Sequence, residues 1–226
     1  MIQKTLGLLF IGLVLLSQSS CVSTTLQQIR EADSAIRDHE SIAVLGRLHQ
    51  TNNETEMNFV NCVAEKTAQG VNSLNVVQPQ AFLDSFFPWF EPKTAPRRTE
   101  ELLSFLETPI LLKRIRDIGL RYIVWIDGQT ERVDQSGTMQ CAIATSGVPA
   151  CFGFLSWDGE SNYEATVWDV ERALTVGKLS SEASGTSFIP AIVVPVPFIA
   201  RVQSTACRTM ADQLQGFIAG VDPEPS

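Results

Sequence analysis

The chain of 226 residues carries 17 basic and 25 acidic side chains, for a net charge of −8 at pH 7. This length suits one domain with a sizeable core and argues against two full domains. The negative charge would repel phosphate backbones and anionic lipid, so the composition argues against nucleic-acid binding and against electrostatic attachment to membranes.

The first 20 residues have the pattern of a signal peptide. Lys4 supplies a positive charge, and Leu6–Leu16 then forms an apolar run without charge. This run is well short of the about 20 residues that a membrane-spanning helix needs, and no later run replaces it. The sequence therefore predicts an exported chain that is not threaded through a membrane.

Small residues lead up to the first cysteine. Ser19 and Ser20 precede Cys21, and this segment resembles the lipobox of bacterial lipoproteins. The resemblance implies diacylation of Cys21, which would become the N-terminus and hold the protein on the membrane through its acyl chains. Val22 in the next position, rather than Asp, implies by the same resemblance an outer-membrane lipoprotein that faces the periplasm. The alternative is cleavage at the small-x-small triplet 17–19, which would release a soluble periplasmic protein.

The five cysteines are an odd number for an exported chain, in which disulfides form and a spare thiol is a liability. A lipid on Cys21 leaves four. Of the three possible pairings we favour Cys141 with Cys151 and Cys62 with Cys207. The alternative is that some of the four are buried free thiols, which pack as small hydrophobes.

Residues 21–40 are predicted to be a tether between the lipid anchor and the body of the protein. Apolar side chains recur at near-helical spacing over residues 25–38, which predicts a short amphipathic helix. These side chains are Leu26, Ile29, Ala32 and Ile36. Ser41–Leu48 is β-rich and is predicted to be the first strand. Asn53 and Glu56 have the form of a capping box that starts the next helix.

The helix predicted over Met57–Gln69 places four side chains on its buried side and ends at Gly70. These side chains are Phe59, Cys62, Val63 and Lys66. Leu74–Val77 is predicted to be a second strand. Ala81–Phe90 is the densest aromatic segment of the chain. It either packs as a buried helix end or forms an exposed patch that meets a partner or lipid, and the partner-contact candidates are Phe82, Phe86 and Trp89.

Two helices are predicted next, one over Glu100–Glu107 and one from Thr108 to Gly119. The run Leu120–Gly128 is apolar on both faces, which is typical of a strand in the middle of a helix-covered sheet. The first part of the chain therefore alternates strands and helices.

Four short strand-like runs separated by turn residues follow, and they predict a meander of antiparallel strands. These runs are Met139–Ala144, Cys151–Trp157, Tyr163–Val170 and Leu174–Leu179. Asp158 and Gly159 are predicted to form one of the turns. Cys141 and Cys151 would lie on opposite arms of the first hairpin, where their spacing allows a disulfide.

Phe188–Ile199 contains three prolines and no charge. Proline argues against a helix and against a central strand, so the segment is predicted to be a loop. Such an apolar loop either folds over its own core or is buried in an oligomer or against the membrane, with Phe188 and Phe198 as partner-contact candidates.

The last helix is predicted to begin after Ser204 or Thr205 as N-cap and to end at Gly220. Its apolar stripe comprises Cys207, Met210, Ala211, Leu214, Phe217 and Ile218. Cys62 and Cys207 both project from buried helix faces, and they would meet if these helices lie side by side on a sheet. Residues 222–226 are predicted to be a flexible tail.

Several segments together resemble the α/β domain shared by the TolB N-terminal region and lipoproteins related to the curli secretion component. These segments are Ile42–Gly46, Gly119–Val124, Val167–Asp169 and Gly177–Leu179. With the order of the elements, the resemblance predicts a single α/β domain over residues 41–221, in which helices pack on a mixed β-sheet and the C-terminal half is an antiparallel meander. The resemblance also implies an envelope protein that binds or assembles, and it carries no catalytic residue across.

Sequence patterns for metal or cofactor chemistry are absent. His39 and His49 have no second type of metal ligand at coordinating spacing, and CxxC and HExxH do not occur, so we expect no metal. GxSxG, GxGxxG and a phosphate-binding loop do not occur either, so we expect no cofactor. Asp127, Glu131 and Asp134 follow the central strand, where either a ligand crevice or a solvated turn would place them.

These observations favour a non-enzymatic, lipid-anchored envelope protein that binds an envelope protein partner or forms a homo-oligomer. The alternative is an exported hydrolase that uses Asp127 and the neighbouring carboxylates as acid and base.

Overall fold

The computed structural model describes four ranges of the chain, residues 22–47, 55–143, 149–195 and 197–221. The signal peptide, Cys21, His49, Asn53 and the tail lie outside the described residues. Within those ranges six strands and five α-helices form. This confirms the predicted α/β class with a mixed sheet.

The strands are β1 Val22–Arg30, β2 Ser41–Gly46, β3 Val76–Val77, β4 Leu120–Ile143, β5 Pro149–Asp169 and β6 Leu174–Pro195. The helices are α1 Met57–Thr67, α2 Pro79–Ser85, α3 Leu102–Glu107, α4 Pro109–Asp117 and α5 Val202–Ile218. Among these helices of the described chain, none combines the length and the apolar character needed to cross a membrane.

The six strands form a sheet in the order β1-β6-β5-β4-β2-β3. β2 runs parallel to β3 and to β4. β5 runs antiparallel to β6, because Lys178 pairs with Glu164 whereas Thr186, further along β6, bonds to Asp158, which lies earlier in β5. Close contacts of Gly137 with Phe154 and of Gly153 with Thr138 show that β4 and β5 are antiparallel too. The predicted antiparallel meander of the C-terminal half is thus confirmed.

The chain divides into two compact units. The larger unit comprises Thr24–Gln129, Ser161–Glu182 and Gln203–Ser226. The smaller unit comprises Thr130–Glu160 and Ala183–Val202. The single domain expected over residues 41–221 stays a prediction.

In the larger unit, one face of the sheet is covered by the segment that contains α2, α3 and α4. The strands contribute Ala43, Leu45, Ile123, Trp125 and Trp168 to this core, and the helical segment contributes Phe82, Phe86, Phe90, Leu102 and Leu111. The ring centroids of Phe82 and Phe86 lie 4.5 Å apart, and Phe90 meets Phe82 edge-on at 4.8 Å. The aromatic run therefore folds as the packed alternative, with the rings of Phe82, Phe86 and Phe90 inside.

The opposite face carries α1 and α5, because successive side chains of a strand point to opposite faces. Phe59 of α1 stacks on Tyr163 of β5 with a centroid distance of 3.4 Å. Cys62 of α1 and Cys207 of α5 form a disulfide with Cα atoms 6.1 Å apart. The predicted pairing of these two cysteines is confirmed.

The apolar periodicity of both helices predicts their buried faces well. All six residues of the predicted stripe in α5 are buried, although the helix starts earlier than predicted, at Val202. In α1, Phe59 and Val63 are buried as expected, but Lys66 is exposed and Thr67 is buried instead. A long cationic side chain at the border of the apolar stripe reaches water readily, which explains the difference.

Glu56 is the N-cap residue of α1, but its side chain does not cap the helix. Its carboxylate accepts a hydrogen bond from the hydroxyl of Tyr163 at 3.2 Å and another from the side-chain amide of Gln203. The predicted capping box stays a prediction, because its other member, Asn53, lies outside the described residues.

The helix predicted over residues 25–38 is wrong, because residues 22–30 form β1 beside β6. Leu26 and Ile29, which define the predicted apolar side, are exposed. A short helix without a buried face is marginal in water, whereas a strand at a sheet edge gains backbone hydrogen bonds. Arg30 secures the strand, since its guanidinium lies 4.2 Å from the ring of Phe217.

Gly177 allows β1 to approach β6 closely. A Cβ atom there would lie 2.2 Å from the carbonyl oxygen of Ile29 and 2.8 Å from the ring of Phe217. We expect Gly177→Ala to lower the free energy of unfolding by about 2 kcal/mol, because neither neighbour can move without separating packed elements. Gly216→Ala in α5 is the control, since its added methyl would lie 3.5 Å from the carbonyl oxygen of Val221 and should stabilise by about 0.5 kcal/mol. Urea denaturation measures both, and equal effects would contradict the close approach.

β5 is longer than the sequence predicts. Asp158 and Gly159, predicted to form a turn, lie inside the strand, which joins the runs Cys151–Trp157 and Tyr163–Val170. β5 has β4 on one side and β6 on the other. Backbone pairing on both sides outweighs the local turn preference of an Asp-Gly pair.

The loop predicted over Phe188–Ile199 is also corrected, because β6 continues to Pro195 and includes Pro190. β1 has nine residues and β6 has 22, so β1 can accompany less than half of β6. Proline is tolerated in a strand where no neighbour needs its N–H, which accounts for its presence here. Phe188 then pairs in antiparallel fashion with Phe198.

Candidate functional site

The smaller unit contains two long stretches without charge. No Asp, Glu, Lys or Arg occurs in residues 135–157 or 183–200, although 19% of the chain is charged. The C-terminal end of β4, the beginning of β5 and the end of β6 lie in these stretches. We call their described residues the uncharged sheet, which comprises 135–143, 149–157, 183–195 and 197–200.

Large apolar side chains of the uncharged sheet face solvent. Ile143 is 77% exposed and Phe152 is 58% exposed, and Phe154 is exposed as well. Phe188 and Phe198 stack with ring centroids 4.7 Å apart, and Phe154 lies 6.3 Å from Phe188. Exposed apolar side chains concentrated in this way mark an interaction surface.

β4 has an open edge in the smaller unit. Its neighbour β2 has six residues and pairs with it only as far as Ile126. From Arg132 to Ile143, no described strand lies beside β4 on the side away from β5. Every residue of this range except Met139 is exposed. Unpaired N–H and C=O groups along such an edge are a template for pairing with another strand.

A disulfide joins β4 to β5 within the uncharged sheet. It links Cys141 to Cys151, whose Cα atoms lie 4.0 Å apart, and it confirms the predicted pairing. The hydroxyl oxygens of Ser136 and Ser156 add a cross-strand hydrogen bond of 2.8 Å. The Cys141–Cys151 disulfide and the disulfide in the larger unit together indicate an oxidising compartment outside the cytosol.

The five predicted partner-contact residues fall into two groups. Phe82 and Phe86 are buried in the core of the larger unit, so their placement on an exposed patch is wrong. Trp89 packs against the same core and is half-buried. Phe188 and Phe198 lie half-buried in the uncharged sheet, and their contact with a partner stays a prediction.

The more exposed residues of this surface, Ile143, Phe152 and Phe154, are not selected by the sequence reasoning. Their signal is the absence of charge over residues 135–157. Phe152 and Phe154 are also two positions apart, which places them on the same face of a strand.

The three carboxylates predicted to cluster after the central strand lie within β4 itself. Asp127 belongs to the larger unit, and Glu131 and Asp134 belong to the smaller one. Asp134 accepts a hydrogen bond of 2.7 Å from the backbone N–H of Gln135. The turn or crevice expected for these residues is therefore corrected, and a hydrolase that uses Asp127 stays a prediction.

Asp127 has a charged neighbour in the larger unit. The guanidinium carbon of Arg47 lies 5.1 Å from the ring of Trp125 and 5.2 Å from that of Trp168. Burial lowers the pKa of Arg47 from its usual value, and the carboxylates of Asp127 and Glu164 oppose this shift. The carboxylate of Asp127 therefore offsets part of the cost of burying this guanidinium, which is a structural use for it.

Potential metal ligands do not gather in the part of the chain that the structure describes, where no group of three or more His, Cys, Asp or Glu side chains could hold an ion. His39 is exposed, and His49 lies outside the described residues.

No protein-family model and no curated protein matches the chain. Among solved structures, the PelC L103M dodecamer from Paraburkholderia phytofirmans matches with 12% identity and a TM-score of 0.40, covering 87% of this chain and 99% of that chain. The PelC dodecamer from the same organism in another space group matches with 13% identity and a TM-score of 0.37, covering 89% and 100%. Similarity at this level does not assign the chain to a family, and the resemblance to TolB and curli-secretion lipoproteins stays a prediction.

Proposed function

We propose that this protein is an exported, lipid-anchored protein of the bacterial envelope that assembles with further copies of itself and catalyses no reaction. The open edge of β4 carries the proposal, because it leaves a strand available to another chain. The lipid on Cys21 and the location on the periplasmic side of the outer membrane rest on the resemblance to a lipobox.

Charge supports a second copy as the partner at this surface. The chain has a net charge of −8, so two copies repel each other wherever their acidic surfaces approach. In the uncharged sheet, contact between copies brings no like charges together. Burial of Ile143 and Phe152 in such a contact would also remove apolar area from water.

Exposure of β4 on both faces supports assembly as well. A strand with open faces and an open edge is held mainly by its single neighbouring strand. A pair of strands of this kind is only weakly stable by itself. Pairing with a strand of another copy would satisfy the backbone groups of the edge and cover part of the faces. Assembly would therefore stabilise the least covered part of the described chain.

The test replaces the two most exposed apolar side chains of this surface. We expect the double variant Ile143→Lys, Phe152→Ser to dissociate oligomers into monomers, because Lys on an edge strand blocks edge-to-edge pairing. Both side chains are exposed in the single chain, so circular dichroism and the melting temperature of the monomer should change little. Light scattering of the purified protein and cross-linking in cells measure the oligomer mass.

Phe87→Ser is the matched control, because Phe87 is 63% exposed and belongs to the larger unit. It should leave the oligomer mass unchanged. A wild-type protein that is monomeric in the envelope, or a double variant with the wild-type cross-linking pattern, would rule out assembly through this surface.

A further inference from the structure

The larger unit contains a cleft of about 480 Å³ at the start of β4. Its walls come from the segment before β2, from α3 and α4, and from the end of β5. This volume lies within the range of about 300–1,000 Å³ that is usual for small-molecule sites. The cleft shares no residue with the uncharged sheet.

The walls of the cleft are fixed by short-range contacts. A Cβ atom at Gly119, which has a positive φ of 63°, would lie 2.5 Å from the carbonyl oxygen of His39. The backbone N–H of Ser41 donates to the carbonyl oxygen of Gly119 at 2.7 Å, and its hydroxyl donates to that of Ile118 at 2.7 Å. The segment before β2 is therefore held against the junction of α4 and β4, so the cleft is preformed.

The interior of the cleft is apolar. Leu112 and Ile115 line it from α4, Leu120 lines it from β4, and Val170 lines it from the end of β5. Leu120 and Val170 are buried, and the two residues of α4 are half-buried. A ligand of this cleft must therefore present a hydrocarbon body to these side chains.

Three arginines stand beside two glutamates at the cleft, and the glutamates are already occupied. Glu40 accepts from the backbone N–H of Arg37 at 2.8 Å and lies 3.7 Å from its guanidinium. Glu171 forms an ion pair with Arg121. The third arginine, Arg116, forms no ion pair with any residue in the described ranges.

Arg121 has unused hydrogen-bonding capacity. Its side chain is 15% exposed, and its Nε atom is buried without a hydrogen-bond partner among the described residues. A buried N–H group of a guanidinium without a partner is costly, and an anionic oxygen is the acceptor that such a group binds best. Arg121 and Arg116 both line the cleft. The hydrogen-bond donors without partners there therefore belong to guanidinium groups.

We propose that this cleft binds an aliphatic carboxylate. The hydrocarbon chain would lie on the floor formed by Ile115, Leu120 and their neighbours, and the carboxylate would accept hydrogen bonds from the exposed guanidinium of Arg116. An apolar interior combined with cationic donors at its border matches a ligand that has one acidic group and a long apolar body.

Decanoate is the probe, and isothermal titration calorimetry is the measurement. The exported chain carrying Cys21→Ser is used without detergent, so that no other amphiphile competes. We expect saturable binding of decanoate, binding of decanol that is at least about tenfold weaker, and binding to Arg116→Gln that is weaker by about tenfold or more, because a charge-assisted hydrogen bond is lost. Raised salt should weaken the binding, since Arg116 is exposed.

Lys113→Gln is the matched control, because it removes a positive charge from the same helix at an exposed residue that does not line the cleft. It should bind decanoate like the wild type. Absence of saturable binding by folded protein, equal binding by Arg116→Gln, or equal binding of decanol would overturn the proposal. The double variant Ile143→Lys, Phe152→Ser should bind decanoate unchanged, so failure of assembly and failure of this site give different results.

Discussion

Replacing both Cys62 and Cys207 with alanine should lower the free energy of unfolding by about 5 kcal/mol. The bond that is lost joins residues with a sequence separation of 145. An open chain of this length has far more unfolded conformations than a closed one, so most of the loss arises in the unfolded state. Urea denaturation of the oxidised protein, followed by tryptophan fluorescence, measures the change.

The same exchange at Cys141 and Cys151 is the matched control, because that bond closes a loop with a separation of only 10. The dependence on loop length then predicts a loss of about 3 kcal/mol. If loss of the Cys141–Cys151 bond lowered the free energy of unfolding more than loss of the Cys62–Cys207 bond, loop closure would not be the main contribution of these disulfides to stability.

Asp169→Asn should lower the free energy of unfolding by about 3 kcal/mol, because it removes the buried anion that two guanidinium groups share. The carboxylate of Asp169 is fully buried and accepts hydrogen bonds from Arg121 at 2.8 Å and from Nε of Arg172 at 2.6 Å. The backbone N–H of Arg172 donates to it as well, at 2.8 Å. This hydrogen bonding raises the pKa of Arg172 above its usual value.

The expected loss stays at the lower end of the range for broken buried ion pairs, about 3–5 kcal/mol, because the side chain of Arg172 is 38% exposed and water can solvate it. Asp117→Asn is the control, since Asp117 is exposed and pairs with Lys113 one helical turn earlier. Its loss should be about 0.5 kcal/mol or less. Thermal denaturation compares the two, and losses of equal size would show that Asp169 is not a structural anion.

The residue pattern predicts the elements of this fold wherever the apolar side chains of a segment themselves mark its buried positions. The stripe of α5 is correct at all six positions, and the run Leu120–Gly128 is correct as a buried strand. Residues 25–38 fail because their apolar spacing suits a helix, whereas their actual neighbour, β6, lies more than 140 positions further along the chain. Local spacing carries no information about such a partner.

The lengths of β5 and β6 are predicted wrongly for a related reason. The Asp-Gly pair at 158–159 and the prolines after Phe188 are turn signals when read locally. In the fold, a Cβ atom at Gly159 would lie 3.8 Å from the carbonyl oxygen of Gly185 and 3.9 Å from that of Glu131, so neighbours on both sides hold Gly159 in extended conformation. The turn signals are overruled by pairing that only the complete sheet supplies.

The two candidate sites differ in how far the sequence predicts them. The uncharged sheet is visible as two charge-free stretches, and its disulfide is predicted from cysteine spacing. The cleft is not visible, because Arg37, Arg116 and Arg121 come from separate segments that meet only in the folded chain. Whether the Nε atom of an arginine has a hydrogen-bond partner depends on packing, and it has no signature in the sequence.

The Cys62–Cys207 bond also limits the damage that a protease can do. A single cut at any peptide bond between these cysteines leaves both fragments covalently attached. The exposed turn at residues 91–94 lies inside this interval, and exposed turns of this kind are preferred sites of proteolytic cleavage. A nicked molecule therefore keeps its pieces together until its sulfurs are reduced, and in a compartment with degradative enzymes and few reductants it would persist as one particle.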